Sequence, residues 1–334
     1  MTVTGSSIPV LTVPSIDVYV TYQCNLRCAH CFVGENLDVG HRFSFQSLLG
    51  VIDGCLSWGT EEITFLGGEP TLYPRIVDAV KAAQQRGLRA RIVTNGTGGF
   101  RAFMRRFDGT TLPVIGFSLD GSTPETHDAI RGPGTLATTL GNIAESKRLG
   151  YPSFGITSIS RQNAHDVRAI LDLCEAQGFT HVNLHYTTNL GFAGEDMVLP
   201  VDEWRELCER VRAHVESMDI EVRVEHMFTA GDKALPCAVR SRNNLQFLPD
   251  GRVFLCPLFI DIPDMHAFVW DGHALVGNQH MVTEETACAA EGPVHCTALP
   301  YVNGGLSDTV ERMGLRVACV LDKTRMRGAR SAMR

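Results

Sequence analysis

The sequence predicts an α/β fold of six parallel strands with helices outside them, followed by a smaller C-terminal region. Three observations carry that reading. From Ile16 to about Asn189, short β-rich runs alternate with amphipathic helical stretches, the pattern of repeated βα units. Most of the helical stretches run into a glycine, as a helix C-cap does. Beyond Leu199 the periodicity weakens, and the domain change falls between residues 190 and 235.

The strand candidates, in order, are "IDVYVTY", "EITFLGG", "ARIVTNG", "PVIGFSLDG", "FGITSIS" and "HVNLHYTT". Between them lie the helical stretches "SFQSLLGVIDGCLSWG", "YPRIVDAVKAAQQRG", "FRAFMRRF", "TLATTLGNIAESKRLG" and "AHDVRAILDLCEAQG". Six such units form either an open doubly wound sheet or an incomplete barrel, and in both the reactive residues gather at the strands' C-terminal ends. The polar and glycine-rich pieces sit there: "CNLRCAHC" after the first strand, "GGEP" after the second, then "TNG", "SLDG" and "SISRQN". After the helix "PVDEWRELCERVRAHVESM" and the stretch "IEVRVEHMF", the run "NLQFLPDGRVFLC" reads as a β-hairpin around a Pro-Asp-Gly turn.

A formal charge of −7 without a Lys/Arg block argues against a nucleic-acid or anionic-membrane surface. The N-terminus lacks the basic flank and apolar stretch of a signal peptide, and no run approaches a membrane span; a cytoplasmic protein is expected. Only Lys81, Lys147, Lys233 and Lys323 are lysines among the 30 basic residues, a bias given no mechanistic weight. Eleven cysteines, an odd number, do not suit a disulfide framework in a reducing compartment, which leaves metal binding. They cluster as Cys24, Cys28 and Cys31 at one end and Cys237, Cys256, Cys288, Cys296 and Cys319 in the last third, which suggests two sites. Cys55, Cys174 and Cys208 lie singly on amphipathic helices and are assigned to the core.

The stretch "TYQCNLRCAHCFVG" offers three thiols in eight residues and no fourth nearby. Three protein ligands leave one metal position open, the mark of a reactive site. A zinc knuckle is the alternative, and would need His30 or His41 as a fourth ligand. With "GGEP" closing the second strand, this constellation resembles the radical SAM superfamily, whose C-x3-C-x2-C signature stands here as Cys24, Cys28 and Cys31.

The resemblance implies a partial (β/α)6 TIM-type barrel over residues 1–195, a bridging helix and strand over 196–234, and a small α+β Fe–S domain of SPASM or twitch type over 235–334. It further implies that Cys24, Cys28 and Cys31 hold a [4Fe–4S] cluster whose fourth iron is chelated by S-adenosylmethionine. Gly67, Gly68 and Glu69 match the loop that binds the methionine amino group; glycine permits close backbone approach and a carboxylate complements an ammonium. Phe32 is placed to pack near the adenine or in the core. Ser118 and Asp120 of "SLDG", Asn95 of "TNG", Arg131 and Ser158 stand where relatives contact the cofactor. The implied chemistry is reductive cleavage of S-adenosylmethionine to a 5′-deoxyadenosyl radical that takes a hydrogen atom from an unactivated C–H, with a reductant such as flavodoxin or ferredoxin.

Cys237 and Cys256 frame the hairpin as C-x13-G-x4-C, with Gly251 as the glycine, and resemble the opening of a SPASM or twitch extension. No C-x2-C-x5-C-x3-C run follows, so a shortened domain with one auxiliary [4Fe–4S] cluster, held by Cys237, Cys256, Cys288 and Cys296, is the reading; Cys319 replaces one of these or returns a hydrogen atom to a product radical. His185, Tyr186, Glu225, His226 and Glu35 are candidates to face substrate or to serve structure.

Two substrate classes follow. One is a small natural product (a sugar, aminoglycoside or nucleoside undergoing epimerisation, dehydrogenation or dehydration, as in antibiotic biosynthesis), and the other is a peptide crosslinked or epimerised by a maturase. The first strand begins near residue 16, leaving no room for an N-terminal peptide-recognition module of roughly 80 residues, which favours the small molecule. An Fe–S electron-transfer protein would fit the cysteines but leave "GGEP" and "SLDG" unexplained.

Overall fold

The computed structural model describes residues 12–107, 111–225, 228–230, 244–260, 262, 264–278, 309–310, 312–317, 319 and 323–328. Seven strands run parallel in chain order: β1 (Ser15–Tyr19), β2 (Glu62–Leu66), β3 (Arg89–Thr94), β4 (Val114–Ser118), β5 (Ser153–Ile159), β6 (His181–Tyr186) and β7 (Glu221–Glu225). The seventh is the stretch assigned from sequence to the bridge. It pairs with β6 from His181↔Glu221 to Leu184↔Val224, so the parallel array is one strand wider than the repeat count suggested.

The helices are α1 (Asn36–Val39), α2 (Phe45–Ser57), α3 (Ile76–Gln85), α4 (Phe100–Met104), α5 (Pro124–Arg131), α6 (Thr135–Arg148), α7 (Val167–Ala176) and α8 (Val201–Val215). Ser44 caps α2 by accepting the Ser47 amide at 3.1 Å, which satisfies one of the orphan donors of the first turn. As the sequence indicated, α3, α6 and α7 stop with Gly87, Gly150 and Gly178 two residues past their last turn.

Alternation along each strand sorts the side chains. Ile16, Val18, Ile63 and Phe65 are fully buried against the helical layer, while Asp17, Tyr19, Glu62 and Thr64 take the opposite face, the lumen. Asp17 on β1 interacts with Arg91 on β3 and also with Lys323, at the far edge of the sheet. A flat sheet would hold those residues many strands apart, so the sheet is curved into a partial barrel.

Both edges of the array are extended by C-terminal chain. β9 (Asn244–Phe247) pairs parallel with β1 and turns back into β10 (Arg252–Phe254), the hairpin expected around Pro249-Asp250-Gly251. β11 (Phe268–Trp270) and β12 (Leu275–Gly277) continue it antiparallel. At the opposite edge β14 (Lys323–Arg327) pairs antiparallel with β7, and β8 (Phe228–Ala230) pairs with β13 (Leu315–Val317) in a small second sheet. Trp58 at the end of α2 stacks on Phe247 at 5.8 Å and meets Trp270 edge-on at 6.2 Å, which seals the added strands to the barrel. Among the described residues no helix is long and apolar enough to cross a membrane.

Candidate active site

The loop after β1 carries Cys24, Cys28 and Cys31, and its shape is set by the glycines after β2. Gly68 and Glu69 donate their amides to the carbonyls of Thr21 and Gln23, each at 2.8 Å. A Cβ on Gly67 would lie 2.4 Å from the Thr21 carbonyl oxygen, and one on Gly68 would lie 2.5 Å from those of Tyr22 and Gln23. Only glycine lets the two backbones run this close, so the pair of glycines ties the thiol loop to the tip of β2.

Glu69 is fully buried and its carboxylate accepts four hydrogen bonds from the chain. Oε1 takes the Thr71 amide (3.1 Å), the Thr71 hydroxyl (2.6 Å) and the Thr94 hydroxyl (2.8 Å), and Oε2 takes the Asn95 amide (2.9 Å). Burial raises its pKa, and these donors oppose that rise. The residue therefore clamps the β2 tip to the β3 tip; a contact with a ligand ammonium would be additional to that role. Asn95 reaches the thiols directly: its amide nitrogen lies 3.9 Å from Cys24 Sγ and donates to Asn25 Oδ1 at 3.1 Å.

The second anchor is Asp120, also fully buried. Its Oδ2 accepts from Arg131 Nε at 2.5 Å and meets His30 Nε2 at 2.6 Å, and its Oδ1 accepts the Ser158 amide at 2.8 Å. Burial alone would raise the carboxyl pKa, but the Arg131 guanidinium and His30 outweigh it and hold it far below the usual carboxylate range. Arg131 then extends Nη1 to within 3.9 Å of Cys28 Sγ. His127 accepts the Asp120 amide on Nδ1 at 3.2 Å, which makes it the neutral tautomer with hydrogen on Nε2; burial lowers its pKa to about 4. Asn163 donates to the Asp120 and Ser158 carbonyls at 3.0 and 2.9 Å. Ser118 ends β4, buried beside this group.

A third loop closes on the thiols. Gly191, past β6, has φ +62, and a Cβ there would lie 2.2 Å from the Cys31 carbonyl oxygen. Phe192 donates its amide to that same carbonyl at 2.9 Å. Gly34 (φ +55) faces Gly191 Cα, where a Cβ would come within 2.8 Å. Phe32, half-buried, meets Tyr19 edge-on at 5.8 Å, a packing contact at the mouth.

Burial raises all three thiol pKa values, that of Cys24 to about 11. Such thiols stay protonated until a metal displaces the proton, and Asn95 and Arg131 stand ready to donate to the resulting sulfur anions. No three His, Cys, Asp or Glu side chains close around a single ion among the described residues. The donor set, three thiols edged by a cation and an amide, suits an anionic iron–sulfur cluster.

Cys256, buried just after β10, is the described member of the expected auxiliary set; Cys237, Cys288 and Cys296 lie outside the described residues, as does His226. Cys319 lies between β13 and β14, partly buried. Cys55 and Cys174 are fully buried and Cys208 partly so, in line with core roles. His185 and Glu225, on the lumen face, pair through Nδ1 and Oε1 at 2.7 Å, whereas Tyr186 points outward and packs on Trp204 of α8 at 5.1 Å. Glu35 precedes α1 as its N-cap.

The sequence reading missed several residues of this site. Asn25, Thr71, Thr94, His127 and Asn163 hold the anchors, and Gly34 and Gly191 let two loops meet; His30, offered as a ligand of a zinc knuckle, instead pairs with Asp120. The Thr-Asn-Gly-Thr run at 94–97 and Gly34 just after the thiol run were the available signals.

A family model described as the radical SAM superfamily matches residues 18–174. Fe-coproporphyrin III synthase of Methanosarcina barkeri is 30% identical over 63% of this chain and 54% of that protein. PqqA peptide cyclase of Methylorubrum populi is 26% identical over 77% of this chain and 69% of that protein. The chain thus spans about half the length of the first of these relatives. The crystal structure of Streptococcus suis SuiB bound to precursor peptide SuiA shares the fold, with a TM-score of 0.67 at 14% identity over 76% of this chain and 62% of that one.

Proposed function

We propose that this chain is a radical SAM enzyme that uses a [4Fe–4S] cluster and S-adenosylmethionine to modify a peptide, a reading supported by the family model and the relatives above. One observation carries the substrate class. PqqA peptide cyclases of Ruegeria pomeroyi and Methylorubrum populi align over 64% and 77% of the chain, and this repeated likeness to peptide-modifying enzymes supports a peptide substrate. A sugar, aminoglycoside or nucleoside substrate, and epimerisation in antibiotic biosynthesis with it, draw no such support.

In this reading Cys24, Cys28 and Cys31 hold the cluster and leave one iron for the amino and carboxylate groups of S-adenosylmethionine. Together these groups supply reductive cleavage of a sulfonium bond and removal of a hydrogen atom from carbon. The chain's part is to hold and to exclude. Glu69 fixes the glycine tip beside which the methionine end would bind, Asn95 and Arg131 would donate toward the sulfurs, and Asp120 keeps Arg131 and His30 in place. Ser118 and Ser158 would contact the ribose portion, and Phe32 with Tyr19 would help exclude water. Cys256 with Cys237, Cys288 and Cys296 would hold an auxiliary cluster, and Cys319 is the candidate hydrogen-atom donor. A flavodoxin or ferredoxin would supply the electron.

The test is anaerobic incubation of reconstituted enzyme with S-adenosylmethionine, reductant and a peptide encoded beside its gene. The expected result is 5′-deoxyadenosine together with a peptide lighter by two hydrogens per crosslink. An unchanged peptide, alongside conversion of a sugar or nucleoside with deuterium transfer into 5′-deoxyadenosine, would overturn the substrate class.

A further inference from the structure

The barrel mouth holds a second group of polar side chains, away from the thiols, that the cofactor scaffold does not use. His185 lies one residue from the end of β6, Glu225 ends β7, and Lys323 begins β14 directly opposite Glu225 in register. His185 Nδ1 meets Glu225 Oε1 at 2.7 Å, and Lys323 Nζ lies 3.2 Å from His185 Nε2. Glu225 Oε2 is held in turn by the Tyr186 amide at 2.9 Å.

These three residues are on the cluster's side of the barrel. Cys28 contacts Arg131, Arg131 pairs with Asp120, and Asp120 binds the Ser158 amide. Ser158 on β5 is the register partner of His185 on β6. Because Leu184 is fully buried and Tyr186 packs outward on α8, His185 points into the lumen, where its side chain stays 34% exposed. A substrate presented to the cofactor in this mouth would have the triad beside it.

We propose that Lys323, His185 and Glu225 form a proton relay, with Lys323 taking a proton from an O–H or N–H next to the substrate's reacting carbon. The relay rests on the function proposed above only in that a substrate occupies the mouth. The arrangement dictates the order of transfer. Glu225 accepts from Nδ1–H, which leaves Nε2 of His185 as the acceptor facing Lys323. The substrate's X–H bond breaks as a new Nζ–H bond forms; a second Nζ–H bond breaks as Nε2–H forms. The proton rests on His185 as imidazolium beside the Glu225 carboxylate, Lys323 returns to the amine, and no oxidant is required. Burial draws the pKa of Lys323 below the ordinary lysine range, Arg91 and Arg223 add to the fall, and the carboxylates of Glu225 and Asp17 oppose it.

Two measurements test this. Holoenzyme is trace-labelled with acetic anhydride across pH 6 to 11 (~ range chosen to span lysine titration), and acetylation of Lys323 is compared with that of exposed Lys147 in the same digest. Lys323 is expected to become reactive at lower pH than Lys147, and Glu225→Gln to move its midpoint lower still, since a carboxylate that favours the ammonium is gone. A Lys323 midpoint equal to that of Lys147, or one that Glu225→Gln leaves in place, overturns the relay. This result does not depend on which substrate is correct. With the peptide or small molecule identified by the preceding test, Lys323→Gln should lower conversion about 100-fold or more. Lys323→Arg should not restore it, because a guanidinium cannot accept the proton. Conversion by Lys323→Arg at the unmutated rate would reduce Lys323 to a structural cation and overturn the proposal.

Discussion

The two acidic anchors at the rim of the barrel and the polar groups on the floor of its lumen are built on the same sheet, yet they differ in how fully the chain matches them, although His127 Nε2 at the rim is also without a partner among the described residues. At the rim, Glu69 and Asp120 are fully buried and every carboxylate oxygen is matched by donors of the chain. Near the strands' starts, Arg91 Nε, His181 Nε2, Asn183 Oδ1, Asn244 Oδ1 and Gln246 Oε1 are buried with no partner among the described residues. A buried orphan of this kind calls for a water or a ligand. The contrast assigns Glu69 and Asp120 to geometry that the chain itself completes, and leaves the floor groups without a partner among the described residues.

The contrast breaks most severely at the rim. Cys28→Ala removes a thiol that no neighbour replaces, so bound iron should fall and S-adenosylmethionine cleavage should drop to background, read by iron analysis and chromatography of 5′-deoxyadenosine. Asp120→Asn leaves Arg131 buried beside a neutral partner. It should cost about 3–5 kcal/mol, the usual loss when one member of a buried ion pair is removed, measured as a shift in the denaturation midpoint.

Acidification probes rim and floor together. His127 at the rim titrates near 4 and His181 on the floor near 3, each lowered first by burial and then by neighbouring arginines. Unfolded histidine titrates near 6.5, so below that value the unfolded chain binds more protons than the folded one, and stability falls as pH falls toward 4. His127 alone accounts for a loss of about 3 kcal/mol across that window; thermal melts from pH 7 to pH 4 would show it, and His127→Gln should flatten the slope. The smallest effect belongs to the floor. Asn183→Leu removes an unpartnered carbonyl and should change stability by less than about 1 kcal/mol, while a drop in turnover without a stability loss would mark the floor as ligand-facing.

Legibility in the sequence follows the same division. "CNLRCAHC" and "GGEP" were readable because their chemistry is local: three thiols within eight residues, and two glycines whose need for close approach is met by Thr21, Tyr22 and Gln23. The parallel strands were readable from periodicity, except β7, whose alternation "EVRVE" carried charges into the lumen and so did not read as a barrel strand. The anchors were not readable. His30 and Asp120 are 90 residues apart, and Arg131 and Cys28 are 103 apart, so their pairing exists only once the curved sheet brings the loop after β1 across to the end of β4. Lys323, dismissed as one of four lysines, gained meaning only when β14 closed on β7.

The central claim is that Cys24, Cys28 and Cys31 hold a four-iron cluster whose remaining iron takes its ligand from a diffusible molecule. Electron–nuclear double resonance on reduced holoenzyme, with S-adenosylmethionine isotopically labelled at its amino and carboxylate groups, reads that bond directly. The account predicts coupling from both labels in the wild type and its loss in Cys28→Ala. Wild-type enzyme that shows no coupling, or that carries zinc on these thiols, would contradict it.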